Sequence, residues 1–222
     1  MKIEVKNITK EYVQGDQRIV ALKDCSLTVT EGSFICITGR SGSGKSTLLN
    51  IMAGLTIPTS GSVLLDGQNI FSLSDNELSL YRNAKVGILP QQQSVLSNLT
   101  ALDNVRLPYH LARREGDSAE EARRLLTLVG IGDLEKKMPK RMSGGQLKRV
   151  AIARALINNP CLLLADEPTG DLDSETTGEI INIFKRMTDE GIAILMVTHD
   201  LDTTVYANIH YQMKDGILSA AN

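Results

Sequence analysis

Hydrophobic residues along the chain follow two patterns, which predict different elements. Runs that are continuously apolar, or that alternate with polar residues, indicate strands, and they lie toward the two ends of the chain. Between them, apolar residues recur with helical spacing. The candidate strands are residues 3–8, 26–30, 34–38, 62–65, 161–165 and 192–197, with a final hairpin over 209–219 that turns at Asp215-Gly216.

Helical spacing dominates the middle of the chain, from about residue 100 to residue 157. Further helices are predicted over 45–53 and 174–189. The central stretch interrupts a strand-helix alternation, so we expect one domain over 1–222, with an α/β core and an inserted helical subdomain over about 100–157. Capping-box patterns, in which a side-chain oxygen satisfies a free N–H at a helix start, support these helices. They are Ser74-x-x-Glu77, Thr100-x-x-Asp103 and Ser118-x-x-Glu121.

The composition is that of an ordinary globular domain, and it argues against several classes of function. The chain has 222 residues, of which 42% are hydrophobic, and a net charge of −2. That balance offers no global basic surface, so we expect no nucleic-acid partner. No apolar run approaches the roughly 18 to 20 residues of a membrane helix, and the first residues lack a signal pattern. We expect a cytoplasmic protein that reaches the membrane only through a partner.

The three cysteines and two of the three histidines carry no predicted chemistry. Cys25, Cys36 and Cys161 are spaced too widely for a metal or redox motif and lie in or beside apolar runs, which predicts reduced core thiols. His110 and His210 stand outside any motif, and we expect structural roles for them.

A complete phosphate-loop motif, G-x-x-x-x-G-K-S, connects the predicted strand 34–38 to the predicted helix 45–53. Glycines at these positions let backbone N–H groups converge on phosphate oxygens, ahead of a helix N-terminus that adds partial positive charge. We expect Lys45 to reach the β and γ phosphates and the Ser46 hydroxyl to bind Mg²⁺. The predicted phosphate-binding residues are Gly39, Arg40, Ser41, Gly42, Ser43, Gly44, Lys45, Ser46 and Thr47.

Two carboxylates, Asp166 and Glu167, follow a predicted apolar strand at its C-terminal end, where open α/β sheets place their ligands. Asp166 suits a Mg²⁺ ligand, direct or through water, since a hard cation in a phosphate site takes one or two carboxylates. Glu167 is then the candidate general base or water-orienting group. His199 follows the predicted strand 192–197, and we expect it to donate to the γ phosphate and to the loop beside Glu167.

A third motif follows Lys45 by 98 residues and consists of Ser143, Gly144, Gly145 and Gln146. Together with the phosphate loop and the carboxylate pair, it makes the chain resemble the nucleotide-binding subunits of ATP-binding-cassette (ABC) transporters over essentially its whole length. The resemblance implies an α/β fold with a P-loop NTPase core of the ABC type, an antiparallel β subdomain and a helical subdomain. It also implies ATP and Mg²⁺ as cofactors.

The resemblance assigns roles to further residues. Tyr12 matches the aromatic residue that stacks on adenine, and Gln91 the glutamine that senses both Mg²⁺ and the transport domain. Residues 143–146, here called the signature turn, match a helix N-terminus that faces the γ phosphate held by a second subunit. Asp171-Leu172-Asp173 matches the loop that crosses to that subunit. These matches imply a head-to-tail homodimer that ATP holds together at two composite sites and that hydrolysis releases.

The membrane partner implied by the resemblance is an integral permease, which would hold the chain on the cytoplasmic face of the membrane. Residues 99–105, 150–156 and 165–170 look like the subgroup that serves lipoprotein release, macrolide and antimicrobial-peptide export and cell division. That likeness implies export or extrusion of a lipid, drug or peptide. The alternative is a non-transport mechanical process across the membrane, such as cell-division signalling.

The surface that contacts the permease is predicted around residues 91–99. Val95, Leu96 and Leu99 are apolar residues in an otherwise polar stretch, which suits a short helix from a partner. The alternative is that these three residues pack inside the helical insertion.

Three other classes of protein fit the motifs less well. A chromosome-maintenance ATPase needs a long coiled coil between phosphate loop and signature turn. Lys45 and Ser143 are only 98 positions apart, and the segment between them carries no sustained heptads. A translation-type ATPase with two cassettes needs a longer chain. A subunit that binds ATP without turnover would lack catalytic groups, whereas every catalytic position is filled here.

Overall fold

The computed structural model describes residues 1–15, 17–92, 94–112, 114–170 and 172–221. The strands are β1 (Lys2–Gln14), β2 (Gln17–Thr30), β3 (Phe34–Thr38), β4 (Ser60–Leu65), β5 (Gln68–Asn69), β6 (Val86–Leu89), β7 (Leu162–Asp166), β8 (Ala193–Thr198), β9 (Ile209–Lys214) and β10 (Ile217–Ala220). The α-helices are α1 (Lys45–Met52), α2 (Asp75–Lys85), α3 (Ala101–Leu111), α4 (Ser118–Leu128), α5 (Gly144–Leu156) and α6 (Ser174–Asp189). Short 3₁₀ helices span Ile70–Ser72, Gly132–Leu134, Pro139–Arg141 and Asp202–Tyr206.

A six-stranded sheet in the order β10-β9-β3-β8-β7-β6 forms the centre of the fold. Its strands are parallel except for the β9–β10 hairpin. Every residue of β3 and β8 is buried, as expected for strands covered on both faces. Because Thr38 pairs with Thr198 and Asp166 with Val197, the C-terminal ends of β3, β7 and β8 lie side by side. This edge carries the predicted chemistry.

A second, antiparallel sheet in the order β2-β1-β4-β5 confirms the expected β subdomain. Its first two strands are much longer than predicted. The apolar pattern stops at Ile8, but backbone pairing continues through Tyr12 opposite Ile19 to Gln14 opposite Gln17. Residues in this outer part of the hairpin are mostly exposed, so neither face of it has to be apolar. The sequence there therefore lacks the alternation of apolar and polar residues that predicts a strand.

Two hydrophobic clusters lie on the two faces of the parallel sheet. Alternate residues of β3 enter different clusters: Phe34 and Cys36 contact the cluster under α3, α4, α5 and α6, whereas Ile35 and Ile37 contact the cluster under α1 and the antiparallel sheet. Helices α3 to α5 therefore share a core with the parallel sheet. They fall within the expected helical stretch 100–157, whose limits as a subdomain stay a prediction.

Two of the three predicted helix caps have formed. Ser74 and Glu77 make the complete capping box of α2, and the Thr100 hydroxyl accepts the Asp103 N–H at 3.1 Å at the start of α3. The third prediction was wrong by one residue, because Asp117 caps α4 by accepting the Ala119 N–H at 2.7 Å. Ser118 is instead the first helical residue and is buried beneath α3, where its hydroxyl accepts from Arg106 Nε at 3.0 Å.

The cysteines and the two remaining histidines occupy structural positions. Cys25 and Cys36 are buried core thiols, as predicted, whereas Cys161 precedes β7 and is only partly buried, and all three are free. His110 and His210 contact the hydroxyls of Ser118 at 3.3 Å and Thr38 at 2.9 Å. Within the part of the chain described above, none of the helices has the length and apolar character needed to cross a membrane.

Candidate active site

The phosphate loop packs closely against backbone groups that lie far away in the sequence. A Cβ atom at Gly39 would lie 2.4 Å from the Met213 carbonyl oxygen of β9, so no side chain fits there. Gly44 has a φ of 110°, and a Cβ there would lie 2.5 Å from the Ala21 carbonyl oxygen. The turn after β9 also donates to the loop, from Gly216 N–H to the Ser43 oxygen at 3.0 Å. The loop thus packs against two distant hairpins and is hydrogen-bonded to the β9–β10 hairpin.

Lys45, the first residue of α1, points its ammonium group back under the loop. Its Nζ donates to the carbonyl oxygens of Gly39 at 2.7 Å and Arg40 at 3.2 Å, and lies 3.8 Å from Glu167 Oε1. The Lys45 and Glu167 side chains are 7% and 9% exposed, so both charges are nearly removed from solvent. Such charges are tolerated only with close partners. Lys45 is thereby placed within the loop that is predicted to hold phosphate.

Asp166, the last residue of β7, is half-buried near the same loop. Burial raises the pKa of the Asp166 carboxyl above its ordinary value, and a hydrogen bond with the Ser46 side chain opposes that shift. The described residues contain no group of three or more His, Cys, Asp or Glu side chains able to hold a metal ion. Asp166 and Ser46 therefore supply an incomplete set of hard oxygen ligands, which matches a cation that takes its other ligands from phosphate and water.

Glu167 is held in an uncommon backbone conformation, with φ at 46°. A non-glycine residue in this region costs on the order of 1 kcal/mol. Its N–H donates to the Val197 oxygen at 2.9 Å. Its Oε2 accepts from the backbone N–H of His199 at 3.2 Å and lies 3.0 Å from the ring Nδ1 of His199. The β8 strand end thus fixes both the backbone and the carboxylate of Glu167.

One cavity of about 490 Å³ brings most of the predicted catalytic and phosphate-binding residues together. Such a volume is large enough for a nucleotide's phosphate chain. Gly39 does not line this cavity. It lines a second cavity of about 520 Å³, which is formed by residues 39–43 and 212–215 and shares residues 40–43 with the first. The 490 Å³ cavity is lined by residues 40–47, Gln91, Asp166, Glu167 and His199, together with Ala21, which the sequence did not indicate.

Tyr12 and the signature turn are not among the residues that line that cavity. Tyr12 is 42% exposed and pairs with Ile19, two positions from the cavity-lining Ala21 on β2, with Lys10 Nζ 5.0 Å from its ring centroid. It thus lies further out on the same hairpin. The signature turn caps α5: Ser143 Oγ accepts the Gln146 N–H at 3.3 Å, and Gln146 Oε1 accepts the Ser143 N–H at 3.1 Å.

The predicted loop to a second subunit is described only in part. Asp171 lies outside the described residues, whereas Leu172 packs against the core and Asp173 caps α6. The Asp173 carboxylate accepts the N–H and the hydroxyl of Thr176, each at 2.8 Å, and these bonds lower the pKa of Asp173. Like the signature turn, Asp173 is absent from the lining of the phosphate-loop cavity.

The described residues of the predicted permease-contacting segment are either partly buried or exposed. Val95 packs against the core, which matches the packing alternative, whereas Leu96 is 42% exposed. Asn104, fully buried on α3, fixes the segment: its Oδ1 accepts the Leu96 N–H at 2.7 Å and its Nδ2 donates to the Leu96 and Leu99 oxygens. Asn104 lies in the run 99–105 that resembles the export subgroup, but that resemblance did not indicate this role. Gln93 lies outside the described residues.

A family model of ABC transporters matches residues 22–170. The chain belongs to the ABC transporter ATP-binding family. It is 45% identical over 215 residues to the uncharacterized ABC transporter ATP-binding protein MJ1508 of Methanocaldococcus jannaschii, with 96% of each chain covered. It is 42% identical over 216 residues to the macrolide export ATP-binding/permease protein MacB of Chlorobaculum tepidum. That match includes 97% of this chain but only 33% of the length of MacB.

Solved structures of a third relative, the M. jannaschii ABC cassette MJ0796, have the same fold. The dimeric cassette superposes with a TM-score of 0.90 at 40% identity, and a dimeric post-hydrolysis state bound to ADP and Pi with a TM-score of 0.87 at 38% identity. Each comparison covers 99% of both chains. The implied family and the implied fold are thereby confirmed. The chain is the ATP-binding subunit of an ABC transporter, and it is an ATPase.

Proposed function

We propose that this ABC ATPase hydrolyses Mg²⁺-ATP in a homodimer with two composite sites. The cycle would drive a separate integral permease that exports a lipid, drug or peptide. The observation that carries this proposal is the cavity in which Lys45, Glu167 and His199 meet at the ends of β3, β7 and β8. Lys45 would bind the β and γ phosphates there, as a cation already surrounded by phosphate-loop carbonyls.

Glu167 is the candidate general base. A water molecule attacks the γ phosphorus, the bond from that phosphorus to the bridging oxygen breaks, and the Glu167 carboxylate accepts the proton that the water loses. His199 supports this step by holding Oε2 of Glu167 with two hydrogen bonds. Since Glu167 is buried and its backbone is fixed, its carboxylate is positioned before the nucleotide arrives.

Asp166 and Ser46 are the residues that would hold Mg²⁺, with Gln91 at the same cavity. When bound, Mg²⁺ neutralises charge on the β and γ phosphates and orients them. The raised pKa of Asp166 fits this role, because a carboxylate that burial disfavours gains most from a neighbouring cation.

The dimer is proposed because the signature turn does not complete the cavity of its own chain. Ser143 and Gly144 are exposed, α5 begins there, and its first turn carries no acidic residue. Such a helix start favours an anion. MJ0796 is dimeric in both solved structures. We infer that each signature turn faces the γ phosphate bound by the other subunit.

A membrane permease is proposed as the partner from the relation to MacB. That relative is named for both ATP binding and permease function in one chain, and this chain spans about a third of it. The permease would hold this ATP-binding unit on the cytoplasmic face of the membrane. Leu96 is the candidate contact, since it combines an exposed apolar side chain with a backbone fixed by Asn104.

Copurification tests the permease proposal. A tagged Leu96→Asp chain, expressed in its own cells and extracted from membranes, should recover several-fold less integral membrane protein than the unchanged chain. Its isolated thermal stability and basal ATPase rate should stay the same. Ile217→Asp is the matched control, because Ile217 is also an exposed apolar residue and lies on the edge strand β10. Equal recovery with both variants, or a loss of stability in Leu96→Asp, would argue against the proposed contact.

A further inference from the structure

The two glycines of the signature turn meet different surroundings. A Cβ atom on Gly145 would lie 2.8 Å from Cγ2 of Thr176 on α6, a separation that requires something to move. A Cβ on Gly144 would meet nothing within 4 Å. Neither glycine has a positive φ, so the backbone would accept alanine at both positions. Gly145 is thus restricted by its own chain, whereas Gly144 faces open space.

Thr176 contacts two segments that the proposed dimer requires. Its methyl group faces Gly145 of the signature turn, and its hydroxyl donates to Asp173 Oδ2 at 2.8 Å. Asp173 also accepts the Thr176 N–H, at 2.8 Å. Because the hydroxyl and the methyl group share one χ1 angle, the bond to Asp173 decides where the methyl group points.

A second contact keeps α5 and α6 together one turn further along. Arg149 on α5 pairs with Glu179 on α6, and its Nη1 also donates to the Val129 oxygen at 2.7 Å. Gly145 and Arg149 are four residues apart, and Thr176 and Glu179 three, so both pairs lie along one helix interface. The spacing of the two helix starts is therefore fixed at two points.

We propose that Thr176 is a positioning residue that sets the signature turn against the Asp173 loop. Its hydroxyl fixes the side chain on Asp173, and its methyl group limits how closely α5 approaches through Gly145. This inference rests on the proposed role of the signature turn at the partner subunit's nucleotide. Glycine at 145 is then needed for packing within the chain, and glycine at 144 for the surface that receives the nucleotide.

The test uses the Glu167→Gln chain as parent, since slow hydrolysis lets an ATP-bound dimer accumulate. Analytical ultracentrifugation measures the dimer dissociation constant with Mg²⁺-ATP, and titration with a fluorescent ATP analogue measures nucleotide binding by the monomer. Gly145→Ala should weaken the dimer about tenfold, because the added methyl displaces α5. Binding by the monomer should stay unchanged, since the phosphate loop is not in contact with Gly145.

Thr176→Ser supplies the rescue, because it removes the methyl group and keeps the hydroxyl on Asp173. Gly145→Ala combined with Thr176→Ser should return the dimer constant to within about threefold of the parent. Gly144→Ala is the matched control: its defect should be unaffected by Thr176→Ser, since no atom of Thr176 lies near its Cβ. Thr176→Val keeps the methyl group and loses the hydroxyl that binds Asp173. This variant should weaken the dimer even though Gly145 itself is unchanged.

The outcomes separate two failures. If the parent dimerises with ATP but Gly145→Ala does so equally well, the inference about Thr176 is wrong while the proposed function stands. The same holds if Thr176→Ser rescues both glycine variants or neither, or if it restores only thermal stability. If the parent forms no ATP-dependent dimer, the proposed composite site is wrong, and the inference about Thr176 is overturned with it.

Discussion

Oε2 of Glu167 lies 3.0 Å from the ring Nδ1 of His199 and 3.2 Å from its backbone N. A carboxylate oxygen only accepts hydrogen bonds, so the ring must carry a proton on Nδ1. A simultaneous donation from Nε2 to a phosphate requires a second proton. Neutral His199 can therefore orient Glu167, while contact with both Glu167 and the γ phosphate requires the imidazolium form.

The first prediction is that His199 carries its proton on Nδ1 in the nucleotide-free protein. Long-range ¹H–¹⁵N NMR of ¹⁵N-histidine-labelled protein distinguishes the tautomers, and only three histidines contribute signals. The signal lost in His199→Ala identifies the residue. An Nε2-protonated ring would contradict the geometry.

The His199→Ala variant should also lower kcat by about 10- to 100-fold while changing KM little, because Glu167 loses its orienting partner.

Lys45→Ala should weaken ATP binding by at least about tenfold, because it deletes the cation that two carbonyl groups hold within the phosphate loop. Equilibrium titration with Mg²⁺-ATP measures the effect. The control is Lys185→Ala, which removes an exposed lysine whose Nζ lies 4.8 Å from the Tyr206 ring centroid on another surface. Unchanged affinity in Lys45→Ala would remove this residue from the phosphate site.

Tyr12→Ala should weaken nucleotide binding by roughly 1 to 3 kcal/mol, the value of a stacked aromatic contact with a base. The loss should be equal for ATP and GTP, because stacking uses the face of the ring and carries little base identity. Tyr12→Phe keeps an aromatic ring and should bind nearly as well as the unchanged chain. If alanine binds as well as phenylalanine, the base lies elsewhere than on the β1–β2 hairpin.

The cysteines should react with an alkylating reagent in the order of their exposure. Cys161 is partly exposed and should react first, while burial raises the pKa of Cys36 to about 12 and keeps its thiol protonated at pH 8. The reactive thiolate is therefore scarce as well as inaccessible at Cys36. Mass spectrometry after brief iodoacetamide treatment locates the label, with denatured protein as the fully labelled reference. Early labelling of Cys36 would contradict its burial.

The sequence predicted the edge of the sheet that carries the candidate active site. Parallel strands place their C-terminal ends together, and each strand that supplies a predicted group, β3, β7 or β8, is a continuous apolar run. The phosphate loop, Asp166, Glu167 and His199 could therefore be placed without coordinates. The individual roles of these residues stay predictions until tested.

What the sequence could not predict are contacts between distant segments. Gly39 must lack a side chain because the Met213 oxygen lies beside it, and nothing in the local motif indicates Met213. The outer half of the β1–β2 hairpin escaped prediction because exposed strands carry no apolar alternation. Asp117 was missed as a cap because the neighbouring Ser118 completes the same pattern one residue later.

The most direct test of the account is ATP hydrolysis and oligomeric state in the Glu167→Gln chain. We expect ATP binding to persist while hydrolysis falls by at least about 100-fold, since glutamine keeps the shape and loses the base. Size-exclusion chromatography with light scattering should then show Mg²⁺-ATP converting monomers to dimers. Glu120→Gln, an exposed glutamate on α4, should behave like the unchanged chain. Hydrolysis by Glu167→Gln at the unchanged rate would contradict the central claim.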